Sequence, residues 1–171
     1  MELRDASSTS SSAVHVGPAE GQALRMAGLQ LITRKVSSEQ TGGAYSLFEV
    51  AVAPEGGSEP HVQHREDECF YVLEGVFEFL VEGARIEAGL GSLVYVPKGN
   101  LHAFRNTGET PGRLLVSQTP GGVHERFIEK VGTPAAGEGI PPQTEEPPED
   151  DVERLAAVGA EYGVEMVWPL P

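Results

Sequence analysis

The sequence predicts an all-β domain, and two observations support this prediction. Between Leu24 and Gly121, apolar stretches of strand length alternate with Gly, Pro, Asn and Asp residues that form turns. The chain also contains 21 glycines and 13 prolines among its 171 residues, a composition that suits short strands joined by many turns. Short strands at this spacing are typical of a sandwich or a barrel, and a double-sheet jelly roll is one such architecture.

Eight segments of this region have the length and composition of strands. They comprise residues 29–36, 44–52, 68–73, 76–81, 85–86, 93–96, 103–106 and 113–119. The turn Thr41-Gly42-Gly43 separates the first two segments. We assign residues 21–122 to one β domain, because a chain of this length predicts one domain rather than two.

Residues 1–20 and 123–171 flank this domain. The first segment contains six consecutive Ser and Thr residues and few apolar side chains, so it predicts a disordered tail. The second predicts a C-terminal extension with two short helices. Residues 133–151, rich in Pro, Gly and Glu, are expected to form a solvated acidic linker between these helices.

The two predicted helices have apolar residues at helical spacing. In the first, Val123, Phe127 and Val131 recur every four residues and Gly132 ends the helix. In the second, Asp151 is the predicted cap and Gly163 the stop. The apolar face of the second helix comprises Val152, Leu155, Ala156 and Tyr162. Residues 164–168 are a short strand candidate.

The charge of the chain excludes two classes of partner. A net charge of −14 repels the phosphates of nucleic acid and the anionic surface of a membrane. There is neither an apolar run of about 18 residues nor the N-terminal apolar segment of a secretory signal. Cys69 is the only cysteine, so no intramolecular disulfide can form. We expect a cytoplasmic protein.

Two stretches of the sequence contain the candidate functional residues. The first contains His61, His64 and Glu68 and ends at Gly75. The second matches five fixed residue types at fixed spacing, namely Gly91, Pro97, Gly99, His102 and Asn106. Pro97 and Gly99 predict a sharp turn that aims His102 into the mouth of a barrel.

These stretches resemble the first and second motifs of the cupin superfamily. Across about residues 24–168 the chain resembles the small single-domain cupins grouped with bacterial quercetin 2,3-dioxygenases. This resemblance implies a jelly-roll β-barrel with short C-terminal helices. It also implies one divalent transition metal ion, which could be Fe, Ni, Mn, Co or Zn.

The resemblance assigns His61, Glu68 and His102 as metal ligands, with Glu68 also the general base. Gln63 occupies the position of the family's second histidine, and it would be a weak ligand or a hydrogen-bonding neighbour. Because side chains alternate along a strand, Gln63 shares a face with His61 while His64 points away. A bulge near Gln63 could instead turn His64 inward as an alternative ligand.

The other residues singled out are not assigned as metal ligands. Phe70, Val72 and Phe104 are ordinary core residues or walls of an apolar pocket around the metal. His15 and His124 lie outside both motifs and are interpreted as ordinary histidines.

Three functions remain open. The first is a metal-dependent dioxygenase that acts on an enol or aromatic small molecule, as in quercetinases. The second is a redox-neutral, metal-dependent cyclase or isomerase of secondary metabolism. The third is a non-catalytic cupin that binds a small molecule. Because cupins commonly dimerise, the resemblance also implies a homodimer.

Overall fold

Twelve strands and two helices make up the described part of the chain. The structure, a computed structural model, describes residues 13–18, 20–27, 29–135 and 149–167, apart from the side chains of residues 149–152. The strands are β1 (Gln22–Met26), β2 (Gln30–Val36), β3 (Ser46–Val52), β4 (His61–Gln63), β5 (Asp67–Glu74), β6 (Val76–Val81), β7 (Ala84–Gly89), β8 (Leu93–Val96), β9 (Leu101–Asn106), β10 (Gly112–Thr119), β11 (Thr133–Pro134) and β12 (Val164–Met166). The helices are α1 (Val123–Val131) and α2 (Glu149–Tyr162).

The strands form two antiparallel sheets. One has the order β11-β1-β2-β3-β10-β5-β8, and the other has the order β12-β4-β9-β6-β7. Within the described ranges the two sheets stay separate and do not close into one hydrogen-bonded barrel. The predicted all-β jelly roll is therefore confirmed, as a sandwich of two sheets.

Alternating side chains build the core between the sheets. Along β3 and β10 every second side chain is buried, as expected for strands with one face on a core. Four phenylalanines form an aromatic cluster, with ring centroids 5.2 to 6.4 Å apart: Phe70, Phe77, Phe79 and Phe104. The cluster adjoins the second motif, because Phe104 lies on β9 with His102 and the ring of Phe70 has its centroid 6.1 Å from that of His102.

The predicted strands are all present, with ends that differ by up to three residues. Strand β1 was not predicted, because Leu24 is its single buried side chain and the alternation is weak. The start of the predicted linker is also a strand, since Thr133 and Pro134 pair with β1. The predicted last strand, residues 164–168, is present as β12 over Val164–Met166. Residues 1–12 of the predicted tail, residues 136–148 of the predicted linker and Trp168 lie outside the described residues.

The first predicted helix is confirmed as α1, but a different face is buried. The buried side chains are His124, Glu125, Phe127 and Ile128, whereas the predicted face was centred on Val123, Phe127 and Val131. The reason lies in the first turn. The backbone N–H groups of Val123 and His124 donate to the buried Glu66 carboxylate at 2.9 and 2.6 Å, and burial raises the pKa of Glu66 to about 7.

Glu125 anchors the same turn to the larger sheet. One carboxylate oxygen accepts from Nη1 of Arg34 at 2.8 Å. The other accepts from Oγ of Ser46 at 2.7 Å and from the backbone N–H of Ser38 at 2.9 Å. Burial alone would raise the pKa of Glu125, but these hydrogen bonds outweigh it and hold the pKa below its ordinary value of 4.5.

Glu125→Gln should lower the free energy of unfolding at pH 7 by about 2 kcal/mol, because charge-assisted hydrogen bonds to a buried anion are lost. Since the pKa of Glu125 is depressed, its stabilisation is present above about pH 4.5 and disappears as the pH falls through the folded-state value. The difference from the wild type should therefore shrink in urea denaturation at acid pH. Glu129→Gln, which removes an exposed partner of Arg34, is the matched control and should change stability by less than about 0.5 kcal/mol. An equal loss in both variants would contradict the prediction.

The second helix and β12 cover the end of the smaller sheet. Helix α2 begins at Glu149, so Asp151 lies in its first turn rather than at its cap. Leu155, Val158 and Tyr162 pack against the core. No helix in the described ranges is long and apolar enough to cross a membrane.

Strand β12 pairs with β4 in a short ladder. In that ladder, Val164 lies opposite Gln63 and Met166 lies opposite His61. The C-terminal extension thus supports the strand that carries the first motif.

Candidate metal centre

Three polar side chains from three strands meet between the sheets. His61 lies on β4, Glu68 on β5 and His102 on β9, and one donor atom from each lies within 4.8 Å of the others. His61 and His102 are register partners with ring centroids 4.3 Å apart, while Glu68 approaches from the facing sheet. All three are buried. The structure therefore brings together the three residues that the sequence indicated as principal ligands.

Backbone hydrogen bonds orient both imidazoles. Nδ1 of His61 donates to the carbonyl oxygen of Glu59 at 2.8 Å, and Nδ1 of His102 donates to the carbonyl oxygen of Asn100 at 3.0 Å. With Nδ1 occupied in each ring, Nε2 is the nitrogen that remains for the cluster. A bond of this kind sets the tautomer of histidines that ligate metals.

Burial and the contact between Glu68 and His102 set the charges in the cluster. Burial, together with the His102 charge, lowers the pKa of His61 to about 3, so this ring is neutral. Burial alone would raise the pKa of Glu68 and lower that of His102. The hydrogen bond from His102 Nε2 to Glu68 Oε2, 2.8 Å long, reverses both shifts. The pair therefore holds a proton between two groups that a metal ion could bind in its place.

A tight turn over residues 97–100 precedes His102. The N–H of Asn100 donates to the carbonyl oxygen of Pro97 at 3.3 Å, and Gly99 has a φ of 87°, which favours glycine. The N–H of Gly99 also donates to the carbonyl oxygen of Gln63 at 2.7 Å. The predicted turn is confirmed, and it ties the second motif to the strand of the first.

Gln118, on β10, holds the Glu68 carboxylate in place. It lies opposite Glu68 in the β5–β10 ladder, and its Nε2 donates to Glu68 Oε1 at 2.8 Å. The sequence prediction does not include this residue. One signal in the sequence could have identified Gln118: it is a polar residue at the next inward-facing position of the strand after Leu114 and Val116.

An apolar cavity of about 100 Å³ adjoins the cluster. His61, Glu68, Gln118 and His124 contribute its polar groups. The apolar walls include Ile32, Phe48, Val50, Phe70, Phe104 and Phe127. Two of the three predicted pocket residues thus line the cavity, whereas Val72 is fully buried in the core outside this lining.

Gln63 and His64 have opposite orientations. Gln63 is buried on the same face of β4 as His61, and neither of its amide atoms has a hydrogen-bond partner among the described residues. The His64 side chain is 50% exposed and its Nε2 bonds to Glu165 at 2.8 Å. The structure therefore leaves His64 outside the cluster, because Gln63 takes the inward position of the strand. Coordination by Gln63 stays a prediction.

His124 lies beside the cluster, although its position outside both motifs gave no sign of this. Its ring centroid is 6.3 Å from that of His61, and its ring packs on Phe127 with centroids 5.2 Å apart. Burial lowers the pKa of His124, so its ring is neutral. The signal that could have found it is helical spacing, since His124, Phe127 and Ile128 lie on one face of α1.

The side chains present fit a divalent transition metal. Two imidazoles and one carboxylate form the ligand set that suits Fe(II) and related ions, with positions left open for other ligands. Several buried polar atoms close to these residues in the fold also lack partners within the described part of the chain: the Gln63 amide, Gln118 Oε1 and His124 Nδ1. Such atoms are rare in folded proteins, and a polar ligand in the cavity would satisfy those that face it.

Comparison with known families gives the fold a name. Residues 48–117 match the model of the Cupin domain family. This part of the chain is therefore similar to a cupin domain. The matched segment runs from β3 into β10 and includes His61, Glu68 and His102, but it ends before Gln118 and His124.

Individual relatives match parts of the cupin domain. Germin-like protein subfamily 2 member 2 of Arabidopsis thaliana is 33% identical over 84 residues, which cover 44% of this chain and 38% of the plant protein. An uncharacterized protein of Aquifex aeolicus is 38% identical over 57 residues, which cover 33% of this chain and 47% of that protein. The chain thus spans less than half the length of either relative.

A solved structure supports the fold independently. The crystal structure of a predicted oxalate decarboxylase from Thermotoga maritima superposes with a TM-score of 0.59 at 20% identity, covering 63% of this chain and 99% of that chain. At this identity the likeness shows the cupin fold alone. The closer resemblance to quercetin 2,3-dioxygenases stays a prediction.

Proposed function

We propose that this cupin is a metal-dependent dioxygenase that acts on a small, largely apolar molecule bearing an enol or a phenol. The observation that carries the proposal is the His61, Glu68 and His102 cluster at the wall of a cavity with otherwise apolar, partly aromatic lining. Two histidines and one carboxylate leave coordination positions for substrate and oxygen. An apolar lining favours a substrate with an apolar body.

The chain's own residues have separate roles in this proposal. His61 and His102 hold the ion through Nε2, and Glu68 is both a ligand and the acceptor of the enol proton. A divalent ion bound there would supply Lewis acidity for the enolate and a common site where substrate and oxygen meet. Gln118 holds the second oxygen of Glu68 and so keeps the carboxylate in place. Both atoms of oxygen enter the product, so no external reductant is needed.

The size of the cavity narrows the substrate class. Pockets for drug-sized ligands typically span about 300–1,000 Å³, whereas this cavity has about 100 Å³. We therefore expect an acyclic or single-ring substrate rather than a three-ring flavonol.

Oxygen uptake tests the proposal. Protein purified without oxygen and loaded with Fe(II) should consume oxygen with at least one member of a panel of acyclic and single-ring enols. Mass spectrometry with ¹⁸O₂ should find both labelled atoms in the product, and the chelator-treated protein should be inactive. His64→Ala, which changes a histidine outside the cluster, should retain the activity.

Two results would replace the proposal with another function. Product formation without oxygen consumption, equally with Fe, Ni or Zn, would indicate a redox-neutral cyclase or isomerase. A chain that binds the panel but no metal would indicate a non-catalytic binding protein.

A further inference from the structure

We infer that His124, on helix α1, contacts the substrate directly and hydrogen-bonds a second polar group of it, separate from the group held at the metal-binding cluster. This inference rests on the proposed function, because it places the substrate in the cavity beside the cluster. It makes the preferred ligand a small apolar molecule with two oxygen functions rather than one.

The position of His124 fits a substrate contact better than a metal ligand. Its side chain lines the cavity, and only 9% of its surface is exposed. Its ring centroid lies 6.3 Å from that of His61, whereas the rings of His61 and His102 are 4.3 Å apart. His124 is also absent from the group whose donor atoms all lie within 4.8 Å. The imidazole therefore stands next to the ligand set, close enough to reach a molecule bound in the cavity.

One ring nitrogen of His124 is available to form a hydrogen bond with a substrate. Its Nδ1 is buried without a partner among the described residues, and neither Phe127 beside it nor the other apolar walls can supply one. Oε1 of Gln118, another cavity residue, is unpartnered in the same way and can only accept. A ligand that carries a hydroxyl group matches these atoms, because a hydroxyl can both donate and accept.

The first turn of α1 holds His124 in place from both sides. Glu66 accepts hydrogen bonds from the backbone of residues 123 and 124, and Glu125 is bonded to Arg34, Ser38 and Ser46. A binding group on a fixed element loses little freedom when its ligand arrives. The partners that hold this turn thus come from the first motif, through Glu66, and from the larger sheet, through Arg34 and Ser46.

Binding of 4-nitrocatechol tests the inference. This probe has a single ring, two adjacent hydroxyl groups and a visible absorption band that reports their environment. Its affinity is measured by absorbance titration on the metal-free and the Zn²⁺-loaded protein, because Zn²⁺ does not oxidise it. The zinc content is measured in parallel by elemental analysis.

His124→Phe should weaken probe binding at least about tenfold, equivalent to about 1.4 kcal/mol, and should leave the zinc content unchanged. His124→Gln, which keeps a polar group, should weaken binding less and serves as a second variant if the Phe variant does not fold. His64→Phe is the matched control, since His64 is exposed and lies outside the cluster. It should bind the probe as the wild type does.

Three results would overturn the inference. They are wild-type affinity in both His124 variants, loss of zinc from the folded His124→Phe protein, and failure of the wild type to bind the probe in either state. Failure of the proposed function has a different signature, namely a wild type that binds no metal or consumes no oxygen. In that case the probe affinity of the metal-free variants still decides the role of His124.

Discussion

His102→Ala should lower the metal affinity of the protein by more than about 100-fold, since even residues that only support metal ligands contribute 10- to 100-fold. The substitution removes Nε2 from the cluster and also the hydrogen-bond donor to Oε2 of the buried Glu68 carboxylate. Elemental analysis after dialysis against a weak chelator should find close to one ion per wild-type chain and almost none in the variant.

His64→Ala is the control for this experiment, because it removes a histidine from the same motif region but from the outer face of β4. It should keep the wild-type metal content. Equal metal loss in both variants, or metal retained by His102→Ala, would contradict the assignment of the centre.

Asn106→Ala should lower the free energy of unfolding by about 3 kcal/mol, because it removes three hydrogen bonds of a fully buried side chain and leaves the buried carbonyl oxygen of Val52 without that donor. Nδ2 of Asn106 donates to the carbonyl oxygens of Val52 and Thr110 at 3.0 and 2.9 Å. Oδ1 accepts from the N–H of Gly108 at 2.9 Å. One side chain therefore joins the two sheets and closes the loop after β9. Urea denaturation of the variant and the wild type should measure the loss in the free energy of unfolding.

Asn100→Ala provides a control of the same residue type in the same motif. Its contribution to the centre is a backbone carbonyl, which the substitution retains. It should change stability by no more than about 0.5 kcal/mol. A comparable loss in both variants would mean that the stability effect does not depend on the bonds of Asn106.

The sequence predicted the main cluster because motif spacing and strand alternation both constrain it. His61 and His102 lie on short strands, where the alternation of side chains determines which face of the sheet each one occupies. The turn at Gly99 follows from the conformational preferences of the residues in it. The outward orientation of His64 follows from the same alternation. These features depend on neighbours in the chain, so they can be read without the fold.

The remaining site residues depend on packing between distant segments. Gln118 reaches Glu68 only through the register of β5 and β10, and a single sequence does not reveal that register. His124 faces the cavity because Glu66 and Glu125 fix the rotation of α1, which the four-residue spacing of Val123, Phe127 and Val131 misplaced. Strand β11 was missed for a similar reason, since two residues gain strand character only from their partner β1.

The ladder between β4 and β12 affects when the centre can form during synthesis. Strand β4 has only three residues, and β12 follows it about 100 residues later. Until that segment has left the ribosome, the strand that carries His61 and Gln63 lies at an open sheet edge, with β9 as its one neighbour. Metal capture should therefore wait for the synthesis of β12, by which time most of the jelly roll has folded.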